Sequence, residues 1–339
     1  MSPTLIPMES ATSVALLTLL SIVEAVVGFI VVLFLIFFVA QRARGRIERP
    51  LAIVITLGPA LLLVLIGLII PSIETINLSF KNQQFLGQLV TKYIGLENYK
   101  TAFTDSYTLQ TMLRTLAWLV VVPLFSVGIG LLSALLMDGM KRTSLPKTLI
   151  FLPTAISFVG ASVIWGYVYN YVEPPAPQTG LLSEVVMKLG WHNPPNWILD
   201  VPVNTFLLMV IMIWIQVGFA MVILGAALKA IPEEILESAR LEGATGARLF
   251  RNIQVPMIMN TIVVVLTTVI ITTLKVFDIV FTMTNGNFNT DVLSRQMYAD
   301  MFVTSQVSQG AALAVIIFIL VIPLMAYNVR QLRKEREHG

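Results

Sequence analysis

The chain has 339 residues, of which 56% are hydrophobic and 12% are charged, and its mean hydropathy is +0.83. This composition is typical of a protein that crosses a membrane several times, and it excludes an ordinary soluble domain. The net charge of +3 is too small to indicate a nucleic-acid-binding protein, and the lack of cysteine excludes disulfides. The only histidines, His192 and His338, lie far apart, so a histidine-based metal site is not expected.

Apolar stretches of about 20 residues are long enough to cross a bilayer as helices. They predict an all-α, polytopic transmembrane bundle with spans at approximately residues 14–40, 51–70, 109–137, 148–169, 203–228, 258–281 and 310–329. We expect residues 1–50 to form an additional N-terminal span with a basic cytoplasmic link. Residues 51–339 are then expected to form a six-helix core.

The lysines and arginines indicate the orientation of the chain. They are concentrated after the first, third and fifth spans and in the C-terminal tail, and the other loops contain few of them. Cytoplasmic loops of membrane proteins are enriched in these residues, so the basic segments are predicted to be cytoplasmic. The N-terminus is then outside the cell and the C-terminus is inside.

A polar segment interrupts the apolar sequence at residues 230–257. Its charged side chains require water, because lipid would remove their hydration at a large cost. Pro232 suits the first turn of a helix, Gly243 and Gly246 allow a sharp turn, and a second short helix is expected to end near Pro256. The first helix is expected to have an apolar face formed by Ile235, Leu236, Ala239 and Leu241. The segment is therefore either a compact helix–turn–helix unit or a solvated loop with two amphipathic stubs.

The order of residues in this segment resembles the signature loop of the membrane subunits of binding-protein-dependent ABC importers. The resemblance rests on Glu237-Ser238-Ala239, on Gly243, and on Ile253 followed by Pro256. It implies a core like that of type I ABC importers, with a coupling loop that docks into a groove on a cytoplasmic ATPase subunit. The residues implied in coupling are Glu237, Ala239, Gly243, Ile253 and Pro256.

The same resemblance implies that the chain is the permease subunit of a sugar importer in a bacterial or archaeal cytoplasmic membrane. The segment 277–286 resembles the family's segment at the outer end of the sixth span. The variant 286–290, the pairs Met297-Tyr298 and Met301-Phe302, and the additional first span resemble the α-glucoside branch. The implied partners are a second permease subunit, two ATPase subunits and an extracytoplasmic sugar-binding protein. The sequence has no Gly-x-x-x-x-Gly-Lys-Ser/Thr phosphate loop, so ATP and Mg²⁺ are expected on the ATPase subunits, and no catalytic residue, cofactor or metal is expected here.

Polar and aromatic residues within the fifth and sixth spans are candidates for the substrate path, because polar groups in a membrane are costly. These candidates are Trp214, Gln216, Phe219, Thr268, Thr272, Thr273, Lys275 and Asp278. Thr268, Thr272, Lys275 and Ile279 are expected to share a face, and Lys275 is expected to lie close enough to Asp278 to pair. Ordinary packing is the alternative for the aromatic residues, and mutual neutralisation near the outer interface is the alternative for the charged pair.

An ion-coupled secondary transporter of a small polar solute is the alternative function, with Lys275 and Asp278 as its coupling site. A membrane-embedded enzyme has no support from any catalytic motif. Two long loops, at residues 72–108 and 172–202, are predicted to be outside the cell. Their aromatic residues are either interfacial anchors or a landing surface for a binding protein.

Overall fold

The structure is a computed structural model that describes residues 57–84, 91–138, 140, 143–173 and 176–338, together with residues 27, 28, 31, 34 and 38. Apart from those five residues, the predicted first span and its basic link lie outside the described residues. The described ranges are helices and loops, with one isolated antiparallel bridge between Lys81 and Tyr93. The all-α prediction is confirmed.

The helices run in the following order along the chain. They are α1 (Leu57–Ser79), α2 (Glu97–Thr104), α3 (Ser106–Asp138), α4 (Ser144–Phe151), α5 (Phe158–Val168), α6 (Leu181–Lys188), α7 (Val203–Lys229), α8 (Glu233–Leu241), α9 (Gly246–Met257), α10 (Met259–Leu274), α11 (Asp278–Thr284), α12 (Leu293–Phe302) and α13 (Val307–His338). The chain divides into two compact units, residues 1–74 and 75–339, and the boundary between them falls within the sequence of α1. The predicted division after residue 50 lies outside the described residues and stays a prediction.

Among the described residues, four helices are long and apolar enough to cross a membrane by themselves: α1, α3, α7 and the Val307–Tyr327 part of α13. Two further predicted spans are broken. A 3₁₀ turn at Leu152–Ala155 follows α4, and the chain then bends by 108° into α5. A bend of 73° separates α9 from α10 at the start of the predicted span 258–281, and the helix of that span ends at Leu274. The stretches 148–169 and 258–281 are therefore not continuous helices.

Local capping explains the first break. Ile156 and Ser157 are extended, and the Ser157 hydroxyl accepts a hydrogen bond from the Gly160 N–H at 3.1 Å, so a new helix begins there. The helix predicted to reach residue 281 ends at Leu274. A new helix, α11, starts at Asp278, whose carboxylate lies at the positive end of the helix dipole.

The central helix of the second unit is α7. It packs along α3 and also contacts α4 and α10. Its buried side chains meet Trp118 and Val122 of α3 and Val265 and Val269 of α10. Gly130 allows the close approach of α3 to α7, because a Cβ at this position would lie 2.6 Å from the Ala220 Cβ. This packing fixes α7 and α10, the two helices that carry most of the candidates for the substrate path.

A smaller core lies at the opposite end of the bundle from residues 230–257. Here α12 packs on the first turns of α13, and α2 packs on α13 as well. The buried apolar residues are Ala102, Leu293, Leu313 and Ile316. If residues 230–257 are cytoplasmic, this core lies at the outer end of the protein.

Candidate functional site

The polar segment at residues 230–257, called the coupling segment below, begins with a regular helix. Pro232 is the N-cap residue of α8, with extended backbone angles (φ −57°, ψ 133°). Glu233 and Glu234 occupy the first turn, where the positive end of the helix dipole stabilises their negative charges. The predicted helix start is confirmed.

Gly243 ends α8 through two backbone hydrogen bonds. Its N–H donates to the Arg240 carbonyl at 3.0 Å, and the Ala244 N–H donates to the Ala239 carbonyl at 2.9 Å. This pair of bonds is the Schellman motif, which requires a left-handed residue after the helix end, and Gly243 has φ +86°. A Cβ at Gly243 would meet no atom of the described residues within 4 Å, so this position is open on their surface. The predicted sharp turn is confirmed.

The apolar face of α8 is narrower than predicted. Ala239 is buried, whereas Ile235 is exposed and Leu241 is 90% exposed. The assignment of Leu241 to the same face is wrong, because two residues correspond to about 200° around a helix and place Leu241 opposite Ala239. Glu237 is also exposed and forms no ion pair within the described part of the chain. The acidic side chain of Glu237 and the large apolar side chain of Leu241 are therefore both exposed on the surface of α8.

The second helix of the coupling segment, α9, continues to Met257, close to the predicted end near Pro256. It contains a wider π-helical turn over Phe250–Gln254. Leu249 is buried, Ile253 is half-buried and Pro256 is exposed. The coupling segment is therefore a helix–turn–helix unit and not a loop with two stubs.

The candidate path residues on α7 have different environments. Trp214 packs edge-on against Trp165, with ring centroids 5.7 Å apart, and Phe219 packs against the main core. These contacts favour the packing alternative for both aromatic residues. Gln216 is 9% exposed, and its amide makes no hydrogen bond within the described part of the chain. Of the three, Gln216 alone combines burial with free hydrogen-bonding capacity.

The threonines of α10 donate their hydroxyl hydrogens to their own helix. Thr268 donates to the Val264 carbonyl at 2.8 Å, and Thr272 donates to the Thr268 carbonyl at 2.9 Å. Thr273 is fully buried and bonds in the same way to Val269. Thr268 and Lys275 are exposed and Thr272 is half-buried, so these three form one partly open polar face. Their hydroxyl oxygens can still accept hydrogen bonds.

Lys275 and Asp278 do not form an ion pair, contrary to the prediction of a close pair. The prediction assumed one continuous helix, but α10 ends at Leu274 and α11 begins at Asp278. For the same reason Ile279 is fully buried and does not share the open face of Thr268 and Thr272.

Sequence reasoning missed a buried charged cluster at the N-terminal end of α3. The fully buried Asp291 carboxylate accepts hydrogen bonds from the Arg295 guanidinium, with Nε to Oδ1 at 2.6 Å, and from the Tyr107 hydroxyl at 2.6 Å. Arg114 Nε donates to the Asp291 carbonyl at 3.0 Å. The hydrogen bond to Asp291 raises the pKa of Arg295 above its ordinary value. We call Tyr107, Arg114, Asp291 and Arg295 the outer clamp.

The outer clamp ties α12 to α3. The Leu293 N–H, at the start of α12, donates to the Thr115 hydroxyl at 3.0 Å in addition. The signal available in the sequence was Asp291 four residues before Arg295, which is the spacing of a helical ion pair.

The aromatic residues of the second long loop, and those at the end of the span before it, are divided between the core and the surface. Trp197 is buried and donates its indole N–H to the Ser183 hydroxyl at 2.9 Å, whereas Trp191 is exposed. Tyr169 is buried and donates to the Leu207 carbonyl at 3.0 Å, and neighbouring Tyr167 is exposed. The exposed members remain available as anchors or as a landing surface.

The sequence profile of the binding-protein-dependent transport system inner membrane component family matches residues 106–334, which include the coupling segment and the outer clamp. The chain belongs to this family. It is therefore an integral membrane component of a binding-protein-dependent transport system.

Two relatives are similar over most of this permease. The osmoprotective compounds uptake permease protein GgtC of Synechocystis is 45% identical over 82% of this chain and 98% of the relative. The α-glucoside transport system permease protein AglF of Rhizobium meliloti is 44% identical over 86% of this chain and 85% of the relative. A chain of a bacterial alginate ABC transporter, solved with an alginate pentasaccharide-bound periplasmic protein, has the same fold, with a TM-score of 0.72 and 21% identity over 85% of this chain and 96% of that chain.

Proposed function

We propose that this permease is one membrane subunit of an ATP-driven importer that moves a sugar into the cytoplasm, and that the sugar is an α-glucoside or a related oligosaccharide. The observation that carries the proposal is the coupling segment, a folded polar unit whose Leu241 and Glu237 are left uncovered by this chain. The substrate class is supported by the similarity to AglF over most of both chains.

A separate subunit must supply the energy for transport. The sequence contains no phosphate-binding loop of the Gly-x-x-x-x-Gly-Lys-Ser/Thr type. We therefore assign ATP and Mg²⁺ to two cytoplasmic ATPase subunits that bind the coupling segment. Closure of those subunits would move α8 and α9 as one body and rock the attached α7 and α10.

The polar face of α10 and Gln216 of α7 form the best-supported part of the substrate path. Thr268 is exposed and Thr272 is half-buried on α10, and Lys275 is exposed directly after it. A polar surface that faces lipid is unfavourable. A second permease subunit would cover this face and complete a cavity. The hydroxyl oxygens and the amide suit a neutral, hydroxyl-rich cargo.

The ion-coupled secondary transporter has less support. That function needs a charged site within the membrane. Lys275 and Asp278 do not pair, and the three ion pairs found in the described part of the chain lie outside the candidate spans. Uptake by this rival stops when the ion gradient collapses, whereas uptake by an ATP-driven importer stops when ATP is depleted.

The orientation completes the proposal. The coupling segment and the C-terminus face the cytoplasm, and the N-terminus faces the outside. A soluble sugar-binding protein would dock on the outer surface, where Trp191 and Tyr167 are exposed.

The docking role of the coupling segment can be tested with charge changes. Glu237→Lys and Gly243→Asp should abolish uptake and release the ATPase subunits, while the permease still inserts into the membrane. Glu184→Lys makes the same charge change as Glu237→Lys on an exposed side chain of α6 and should leave both properties unchanged. Normal uptake by both coupling-segment variants would refute the docking role.

The substrate can be tested with the assembled transporter. The permease is purified together with its co-eluting subunits, and ATP hydrolysis is measured with the cognate binding protein and a panel of sugars. Stimulation by α-glucosides such as trehalose, sucrose or maltose is expected. Stimulation by amino acids or peptides alone would overturn the sugar assignment and leave the ATP-driven mechanism standing.

A further inference from the structure

A groove of about 220 Å³ lies between the C-terminal ends of α3 and α7 and the first turn of α4. Because α7 leads directly into the coupling segment, the groove is at the same end of the bundle as that segment. Its volume is below the range of about 300–1,000 Å³ that is typical of a site enclosing a whole small molecule. The groove therefore fits one part of a ligand that extends beyond it.

The interior of the groove is apolar. Val222 and Ala226 are exposed members of its lining, so the interior can be reached from outside the protein. None of the apolar side chains can donate a hydrogen bond, which does not suit a sugar, and together they suit a hydrocarbon chain. The apolar lining consists of Ala134, Met137, Met221, Val222, Gly225 and Ala226.

The rim of the groove is charged. Lys229 is exposed and Lys147 is half-buried, and neither lysine forms an ion pair within the described part of the chain. Asp138 also belongs to the rim, where it is exposed and pairs with neither lysine. Two positive charges and one negative charge leave this rim with a net charge of +1. The rim is therefore complementary to a singly charged anion.

The beginning of α4 also favours an anion. Lys147 lies in the first turn of this helix, where the positive end of the helix dipole disfavours a cation. That turn contains no acidic residue, and no side chain of the described residues caps it with a hydrogen bond. A phosphate at this position would be stabilised both by the helix dipole and by the charge of Lys147.

The neighbouring helix surfaces are apolar, as expected for contact with lipid. Leu145 and Leu149 of α4 are 71% and 61% exposed, and Leu136 of α3 is 65% exposed. Lysines at the ends of spanning helices extend towards the lipid headgroups, and basic pockets between such helices on the cytoplasmic side bind anionic headgroups. A phospholipid combines the two required parts, an acyl chain for the apolar interior and a phosphate for the lysines.

We propose that this groove binds one molecule of phosphatidylglycerol from the cytoplasmic leaflet. An acyl chain lies along Met221 and Val222. Lys147 and Lys229 bind the phosphate, and the glycerol hydroxyls of the headgroup donate to Asp138. Phosphatidylethanolamine is neutral overall and would leave the rim charge unbalanced, and a lipid with two phosphates would bring a second negative charge towards Asp138. The site goes beyond the proposed transport function, and only the choice of leaflet rests on the proposed orientation.

The test measures lipid binding by native mass spectrometry on the permease co-purified with its partner subunits in detergent. Dioleoyl phosphatidylglycerol should bind more tightly than dioleoyl phosphatidylethanolamine. Lys147→Gln and Lys229→Gln should each weaken binding of phosphatidylglycerol about fivefold, which corresponds to about 1 kcal/mol per cation. Lys188→Gln is the matched control, because it removes the same charge from an exposed helix end outside the groove, and it should bind as the wild type does. Size-exclusion profiles verify that each variant is folded and assembled.

Two further measurements separate a lipid from other occupants. Ala226→Phe fills the groove from an exposed position without changing its charge and should also weaken binding about fivefold. Glycerophosphoglycerol, which is the headgroup without acyl chains, should not displace the lipid. The proposal is overturned if phosphatidylethanolamine binds equally well, if the lysine variants or Ala226→Phe bind as the wild type does, or if the headgroup alone competes. It is also overturned if phosphatidylglycerol binds the isolated permease but not the assembled transporter, because a partner subunit then covers the groove.

Discussion

The coupling segment and the outer clamp differ in whether their polar groups are buried and paired or exposed. In the outer clamp, Asp291 is fully buried and has partners on α3 and α12. In the coupling segment, Glu237 and Leu241 extend away from the chain, and a Cβ at Gly243 would meet open space. The outer clamp completes its interactions within one subunit, whereas the coupling segment leaves its interactions to be completed by another.

This difference indicates that the outer clamp contributes to the stability of the fold, whereas the coupling segment contributes to binding of a partner subunit. Breaking a buried, paired charge leaves its partner uncompensated and destabilises the fold. Changing an exposed side chain has little effect on folding and a large effect on binding when a partner covers it. Substitutions in the two regions should therefore have different effects on stability and on association. Four predictions test this difference, from the largest expected effect to the smallest.

Asp291→Asn is expected to have the largest effect on stability. It removes the negative charge that balances Arg295, and breaking a buried pair costs about 3–5 kcal/mol. Thermal unfolding in detergent, followed by tryptophan fluorescence, measures the loss. Glu184→Gln is the control, because it breaks an exposed ion pair to Lys188 and should cost about 0–1 kcal/mol. Equal melting temperatures for the two variants would show that the outer clamp does not stabilise the fold.

Gly243→Ala should cost about 1–2 kcal/mol, because the residue keeps a left-handed backbone that disfavours a Cβ. Co-purification of the ATPase subunits should also weaken. Gly190→Ala introduces a comparable strain at φ +99° and also meets no neighbouring atom. If Gly190→Ala released the ATPase subunits equally, the effect of Gly243→Ala would reflect general destabilisation and not docking.

Leu241→Ala should leave stability unchanged within about 0.5 kcal/mol, because the side chain is exposed in the isolated chain. Association with the ATPase subunits should weaken by about 1 kcal/mol or more if this leucine is an anchor of the interface. Leu189→Ala removes an equally large and exposed side chain at the end of α6 and should alter neither property. Unchanged ATPase association in Leu241→Ala would remove this residue from the docking surface.

Asp300→Asn is expected to have the smallest effect, on the pH dependence of stability. Burial raises the pKa of Asp300 from 3.8 to about 6, so the folded state binds this proton more tightly than the unfolded state does. The resulting stabilisation is present at low pH and is lost as the pH rises from about 4 to about 6. The wild type should lose more melting temperature than Asp300→Asn over this range. Parallel curves would contradict the raised pKa.

The sequence predicted the elements that depend on local chemistry. Pro232, Gly243 and Gly246 act through backbone preferences of single residues, and the helix and turn at these positions are confirmed. The pairing of Lys275 with Asp278 failed because it required a continuous helix, and the break after Leu274 depends on how α11 packs against α5 and α7. Such tertiary contacts leave no periodic signal in a uniformly apolar sequence.

The outer clamp was missed for a related reason. Asp291 and Tyr107 are 184 residues apart along the chain and meet only after α3 and α12 have packed. The same is true of Gln296 and Thr108. The coupling segment was recognised because its residues are contiguous and carry a family pattern. A site assembled from distant helices has no comparable signature in one sequence.

The central claim is that an ATPase subunit binds the coupling segment in the cytoplasm. Thiol labelling tests this claim most directly. The chain contains no cysteine, so Leu241→Cys and Leu189→Cys each introduce a unique thiol. In intact cells a membrane-impermeant maleimide should label Leu189→Cys and not Leu241→Cys. In inverted membrane vesicles it should label Leu241→Cys, and added ATPase subunits should block that reaction. Labelling of Leu241→Cys from outside the cell, or labelling that the ATPase subunits do not reduce, would contradict the account.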